Sequence, residues 1–123
     1  MNVGDVITWK RTFTEEDIRQ FGKLSGDEGL HHLQPDEQGR LMAQGLLTAT
    51  LPTKIGGDLN FIAQEMTFQF IRPVYASDTI ECSVTITDLH EERAVIHVSS
   101  TWICRNQKGK EVLRGNASGI IRP

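Results

Sequence analysis

Cysteine is nearly absent from this chain. Cys82 and Cys104 are the only two, far apart and in no CxxC pair or Cys/His cluster. That pattern argues against a zinc site and against a secreted disulfide scaffold, so both read as reduced thiols in a core. Basic charge is also short: 13 Lys+Arg against 16 Asp+Glu leave a formal charge of −3. Non-specific binding to nucleic acid needs the opposite balance, so DNA and RNA drop out as partners. Nowhere do the roughly 18 consecutive apolar residues of a membrane span occur. Met1 to Lys10 hold no basic segment followed by an apolar run, so no signal peptide and no membrane partner are expected, and the location expected is cytoplasmic. GxGxxG and Walker loops are missing too, which excludes nucleotide-cofactor enzymes of those kinds. Nothing repeats internally, and no stretch is of low complexity.

What is present suits an ordinary core: 123 residues at 38% hydrophobic are expected to form one domain, 1–123. Thr14-Glu15-Glu16-Asp17 reads as a helix start. Thr14 can cap free amides, the acidic residues favour the positive end, and Phe13 can staple against Ile18. Ile18, Phe21 and Leu24 share a face, and Ser25-Gly26 ends the helix. Asp27 to Gly39 reads as a long ordered loop, a length that is usually functional. From Leu41 to Ile55 the residues are apolar or small with no charge before Lys54, which predicts a buried helix, kinked or ended near Pro52.

After Gly56-Gly57 the period changes to two. Met66, Phe68 and Phe70, then Ile80 to Ile86, then Ile96 to Cys104, alternate with polar residues as half-buried strands. Val112 to Ile121 is a last strand and Asp5 to Lys10 a candidate first. Arg72-Pro73, Ala76-Ser77-Asp78, His90-Glu91-Glu92 and Asn106 to Gly109 supply the turns, which predicts consecutive antiparallel strands. One buried helix followed by a long sheet implies that the sheet wraps the helix, an α+β architecture. Its open edges predict a homodimer.

Chemistry concentrates in Ser25-Gly26-Asp27-Glu28-Gly29-Leu30-His31-His32. Asp27 and His32 lie five residues apart across a Gly-rich turn, close enough to share one water, and such a pair can act as general base and acid. Taken locally, an Asp in a turn more often caps backbone amides. Gly45, in Ala43-Gln44-Gly45-Leu46-Leu47, lies near the start of the buried helix. Its free amide at the positive end of the helix dipole can stabilise a developing enolate, or the glycine can simply permit close helix–sheet contact.

The order of these parts resembles the MaoC-like, (R)-specific enoyl-CoA hydratases, which have the hotdog fold. The matching parts are the helix Phe13 to Leu24, then Leu24-Ser25-Gly26-Asp27 with His32 following. Ala43 to Leu47 come next, then the sheet from Phe68 onward with Arg72-Pro73-Val74. The resemblance covers nearly the whole chain. It implies that Asp27 and His32 hold and activate a water added across the double bond of a trans-2-enoyl thioester. It implies that the Gly45 amide polarises the thioester carbonyl. Leu46 and Thr53 are implied at the substrate, with Thr53 nearest the family's helix serine that orients the aspartate, and Thr50 a weaker substitute.

The resemblance implies an acyl-CoA thioester substrate and neither a metal nor a redox cofactor. Where the family has Asn-Pro this chain has Gly29-Leu30, which loosens the turn and removes an amide side chain. His31 is an extra imidazole, read as exposed or packing, or as a swap for His32. His90 and His97 read as solvated, and Lys54, Arg72, Lys108 and Lys110 as candidates for the coenzyme A phosphates. A non-catalytic acyl-CoA-binding module and an acyl-CoA thioesterase remain the alternatives to the hydratase.

Overall fold

The period-2 stretches form one five-stranded antiparallel sheet. A computed structural model describes residues 1–122. The strands are β1 (Val6–Thr12), β2 (Phe61–Phe70), β3 (Thr79–Glu92), β4 (Val95–Arg105) and β5 (Glu111–Ile121), in the order β1-β3-β4-β5-β2. β3, β4 and β5 form a meander, but β2 pairs with β5 instead of its successor β3. The expected consecutive pairing fails there because residues 71–78 are a crossing connection. Its Val74 carbonyl takes the Ala43 amide at 2.7 Å, and its Ala76 amide donates to the Leu41 carbonyl at 2.9 Å.

Helix α1 (Glu15–Ser25) begins as its sequence predicts: the Thr14 hydroxyl accepts from the Asp17 amide at 3.1 Å, and the Asp17 carboxylate accepts from the Thr14 amide at 2.9 Å. Phe13 and Ile18 are both fully buried, the pair a hydrophobic staple requires. Leu24, grouped with Ile18 and Phe21 by spacing, is instead 84% exposed at the last turn.

The stretch read as one buried helix is three pieces. Leu41 to Gln44 is extended and bridges Tyr75 through Met42; α3 (Gly45–Thr48) follows, then α4 (Thr50–Asp58). The break comes at Ala49, three residues before Pro52. Pro52 has no amide for the Thr48 carbonyl, so it lies in the first turn of α4, where a proline is tolerated. α4 lies against β1, β2 and β3, burying Leu51 and Ile55. Full burial of a side chain that size contributes about 1.5–3 kcal/mol. Leu47, Ala49 and Leu51 are enclosed as expected; Leu46 is 58% exposed, a correction explained by the cleft beside it. Cys82 and Cys104 pair across β3 and β4, fully buried and unbridged. The Cys104 thiol beside it, together with burial, pushes the Cys82 pKa far up. Among the described residues, no helix is long and apolar enough to cross a membrane.

Candidate active site

Asp27 owes its place to the way α1 stops. Gly26 takes φ +81° and its amide donates to the Gly22 carbonyl at 2.9 Å, a left-handed cap that a residue without Cβ adopts freely. Ser25 Oγ donates to the Phe21 carbonyl at 2.7 Å and accepts from the Asp27 amide at 3.0 Å. Gln44, only 1% exposed, donates from Nε2 to the carbonyls of Ile18 at 2.9 Å and Asp27 at 3.3 Å. The aspartate's backbone is therefore tied both to α1 and to the residue preceding α3.

His32 comes from α2 (Leu30–Leu33), a single turn inside the predicted loop, and is 5% exposed. Its Nδ1 lies 2.7 Å from the Met42 carbonyl. A carbonyl oxygen only accepts, so Nδ1 carries a proton, and in the tautomer this fixes Nε2 presents a lone pair. That Nε2 is 3.6 Å from Asp27 Oδ2. The separation is too long for a direct hydrogen bond, and two acceptors face one another across it. A donor with two O–H bonds, such as water, satisfies both. His31 is exposed, its ring 3.9 Å from that of His32, so His32 is the imidazole that faces the carboxylate. Beyond the pair, Asp36 anchors the loop: amide donation from Arg40, then its guanidinium and the Gln38 amide, hold the carboxyl below its ordinary range.

Asp27, His32, Gly45, Leu46, Thr48 and Phe70 line one cleft of about 490 Å³. Gly45 is the first residue of α3, where an amide has no helical acceptor. A Cβ there would lie 2.6 Å from Phe70 Cε1. Gly45 thus lines the cleft at a helix start, and the aromatic ring needs the missing side chain. Thr53 is not brought to Asp27. It is exposed, donates to the Thr50 carbonyl at 3.0 Å, and lines a separate apolar cavity of about 100 Å³ between α4 and the sheet. Thr50 likewise donates to the Leu47 carbonyl at 2.5 Å. The threonine in the cleft is Thr48, 3% exposed. Its signal was present in the sequence: it falls three residues after Gly45, on the same helix face.

No family model matches the chain. A mitochondrial 3-hydroxyacyl-[acyl-carrier-protein] dehydratase of Arabidopsis thaliana is 27% identical over 98% of this chain and 78% of that protein. An (R)-specific enoyl-CoA hydratase of Rhodospirillum rubrum is 28% identical over 96% of this chain and 86% of that protein. The solved (R)-hydratase of A. caviae superposes with a TM-score of 0.86 at 24% identity, covering all of this chain and 98% of that one. This is the hotdog fold of the (R)-hydratases. The α+β reading and the family resemblance drawn from the residues both hold. Within that hotdog frame, sequence reasoning missed Thr48, Phe70 and Gln44 at the site.

Proposed function

We propose that this chain is a hydro-lyase, adding water to trans-2-enoyl thioesters to give (R)-3-hydroxyacyl thioesters and catalysing the reverse dehydration. The observation that carries it is Asp27 Oδ2 and His32 Nε2 facing each other at 3.6 Å in a cleft that Gly45 also lines. A water held between them donates one hydrogen to each. As its oxygen bonds to C3 of the alkene, Asp27 takes the proton and His32 keeps the oxygen oriented. The electron pair of the double bond moves toward the thioester oxygen, where the Gly45 amide stabilises the enolate. Asp27 then returns the proton to C2, so atoms and charge balance without a metal or redox cofactor. General acid–base work of this kind contributes about 10²–10⁴-fold.

Leu46 and Phe70 give the thioester an apolar wall. Thr53 meets substrate only if the acyl chain enters the cavity behind α4, whose apolar lining suits it. Arg72, also on the cleft, is the basic residue placed to meet a coenzyme A phosphate. An acyl-thioester substrate is consistent with a role in fatty-acid metabolism, and the location proposed is cytoplasmic. β2 is an open ten-residue edge with Ile62 and Phe70 exposed, and a homodimer joined there would cover it.

Loss of the conjugated absorbance of crotonyl-CoA, with no release of free thiol, tests the activity. Thiol release instead would mean a thioesterase. A non-catalytic binding module is favoured by one observation, Gly29-Leu30 in the turn between Asp27 and His32. Calorimetric binding of the thioester with no turnover would establish it.

A further inference from the structure

The far end of the sheet holds a second group of chemistry-bearing side chains. It is separate from the hydration cleft and independent of the reaction proposed there. Residues 90–92, read from sequence as a turn, are the end of β3, and the chain reverses at Arg93 and Ala94. Both have positive φ, 53° and 64°, as a two-residue turn matched to strand twist demands. Neither is Gly or Asn, which is why the turn was not visible in the sequence. The reversal fixes Glu92 opposite Val95 and therefore His90 directly opposite His97.

On that face the two imidazoles lie parallel, ring centroids 4.7 Å apart with an interplanar angle of 6°. Glu92 Oε2 is 4.0 Å from His97 Nε2. Ligating atoms of His90, His97 and Glu92 all lie within 4.8 Å of one another. Asp88 Oδ2 lies 3.7 Å from His90 Nδ1, the side on which a carboxylate commonly orients a ligating imidazole.

We propose that the tip of the β3–β4 hairpin is a divalent transition-metal site in which His90, His97 and Glu92 bind Zn²⁺. Two imidazoles and a carboxylate are a donor set for zinc and its neighbours, not for magnesium or calcium, which take oxygen ligands. Three protein ligands leave the fourth tetrahedral position to water. Only side-chain rotation is needed to close the set, because the backbone register already places the two histidines face to face. The bound ion ties β3 to β4 at a turn whose two residues are in a conformation unfavourable to them, so it stabilises the hairpin where it is weakest.

Zn²⁺ titrated into the full chain by calorimetry is expected to bind once per chain, to raise the melting temperature, and to be unaffected by excess Mg²⁺. His90→Ala or His97→Ala should each weaken binding at least about tenfold, since loss of even an outer partner costs about 10–100-fold. The double variant should lose it. All three positions are at least partly solvent-exposed, and circular dichroism of each variant should match the wild type. Proton NMR of the wild type gives a readout that needs no variant to fold, because Zn²⁺ should shift the imidazole resonances of His90 and His97 first. Binding undiminished in the double variant, first shifts at His31 and His32, or no saturable binding to the wild type would each overturn the site.

Discussion

His32 Nε2 stands 3.6 Å from Asp27 Oδ2 while the Met42 carbonyl, 2.7 Å from Nδ1, fixes which ring nitrogen holds the proton. Replacing Asp27 by Asn keeps size and most hydrogen bonding but removes the basic oxygen. Turnover of crotonyl-CoA should fall about 10²-fold or more with thioester affinity nearly unchanged. Stopped-flow kinetics and calorimetry on the same samples check this. Equal turnover by variant and wild type would remove Asp27 from the mechanism.

The two explanations of Gly45 can be separated through Phe70. Gly45→Ala drives a methyl into the ring, with Cε1 at 2.6 Å and Cδ1 at 2.8 Å. Overpacking of this kind typically costs about 1–3 kcal/mol, and at Gly45 it displaces the start of α3. The single variant should lose both stability and turnover. Adding Phe70→Ala opens the space while leaving the backbone amide of residue 45 in place, so the double variant should regain stability and kcat, with KM raised by the lost part of the apolar wall. A double variant that regains stability but not turnover would mean that the Phe70 ring itself serves catalysis.

Gly29-Leu30 stands where the (R)-hydratases this chain resembles have Asn-Pro. Leu30 is the first residue of α2 and is 68% exposed, a position at which proline is favoured. Gly29 has φ −53° and ψ 149°, open to any residue, though a Cβ would come within 3.0 Å of His31 Cε1. That atom belongs to an exposed ring able to swing aside. Leu30→Pro with Gly29→Asn should stabilise the fold by about 0.4–1 kcal/mol per site and raise kcat by holding His32 opposite Asp27. Thermal melts and initial rates test the two effects separately.

The start of α1 carries the pH prediction. Donation from the Thr14 amide, then from its hydroxyl and from Arg11, holds the Asp17 carboxyl below its ordinary value of 3.8. A carboxyl with a lower pKa folded than unfolded adds stability above that ordinary value, and loses it as pH falls through the folded pKa. Wild type should therefore exceed Asp17→Asn in stability at neutral pH, and the gap should close in acid. Thr14→Ala should cost about 0.5–2 kcal/mol. Chemical denaturation across pH measures both.

What was legible in the sequence was local. The Thr14 cap, the Ser25-Gly26 stop and the alternation in β3, β4 and β5 are each set by neighbours a few residues away. Asp27 and His32 came with them, because a helix stop and one short turn suffice to bring them together. Leu41 to Gln44 reads as helix in the sequence because a fully buried apolar run has no period to read, yet it is extended. Its extended form is imposed by Val74 to Ala76, more than 30 residues on. Thr53 is preferred to Thr50 in the sequence, and Thr48 goes unnoticed, for the same reason. Which face of the helix meets the cleft depends on the break at Ala49, and that break is settled by tertiary packing.

Gln44 is the position where packing and site meet. Its side chain is buried, its Nε2 serves two carbonyls, and its Oε1 has no partner. Gln44→Met fills similar volume and removes the unpartnered oxygen, a gain. It also strips the donor from the Ile18 and Asp27 carbonyls, at a cost of about 1–3 kcal/mol for a buried group left unpaired. The second effect should win, because the Asp27 carbonyl loses its donor and its tether together, while the Ile18 carbonyl keeps the Gly22 amide of α1. If Gln44 positions Asp27, kcat should fall with KM little changed, and by more than in Thr14→Ala, which is destabilised by a similar amount but leaves the Asp27 tether intact. Equal kcat in the two variants at matched stability would reduce Gln44 to a packing residue.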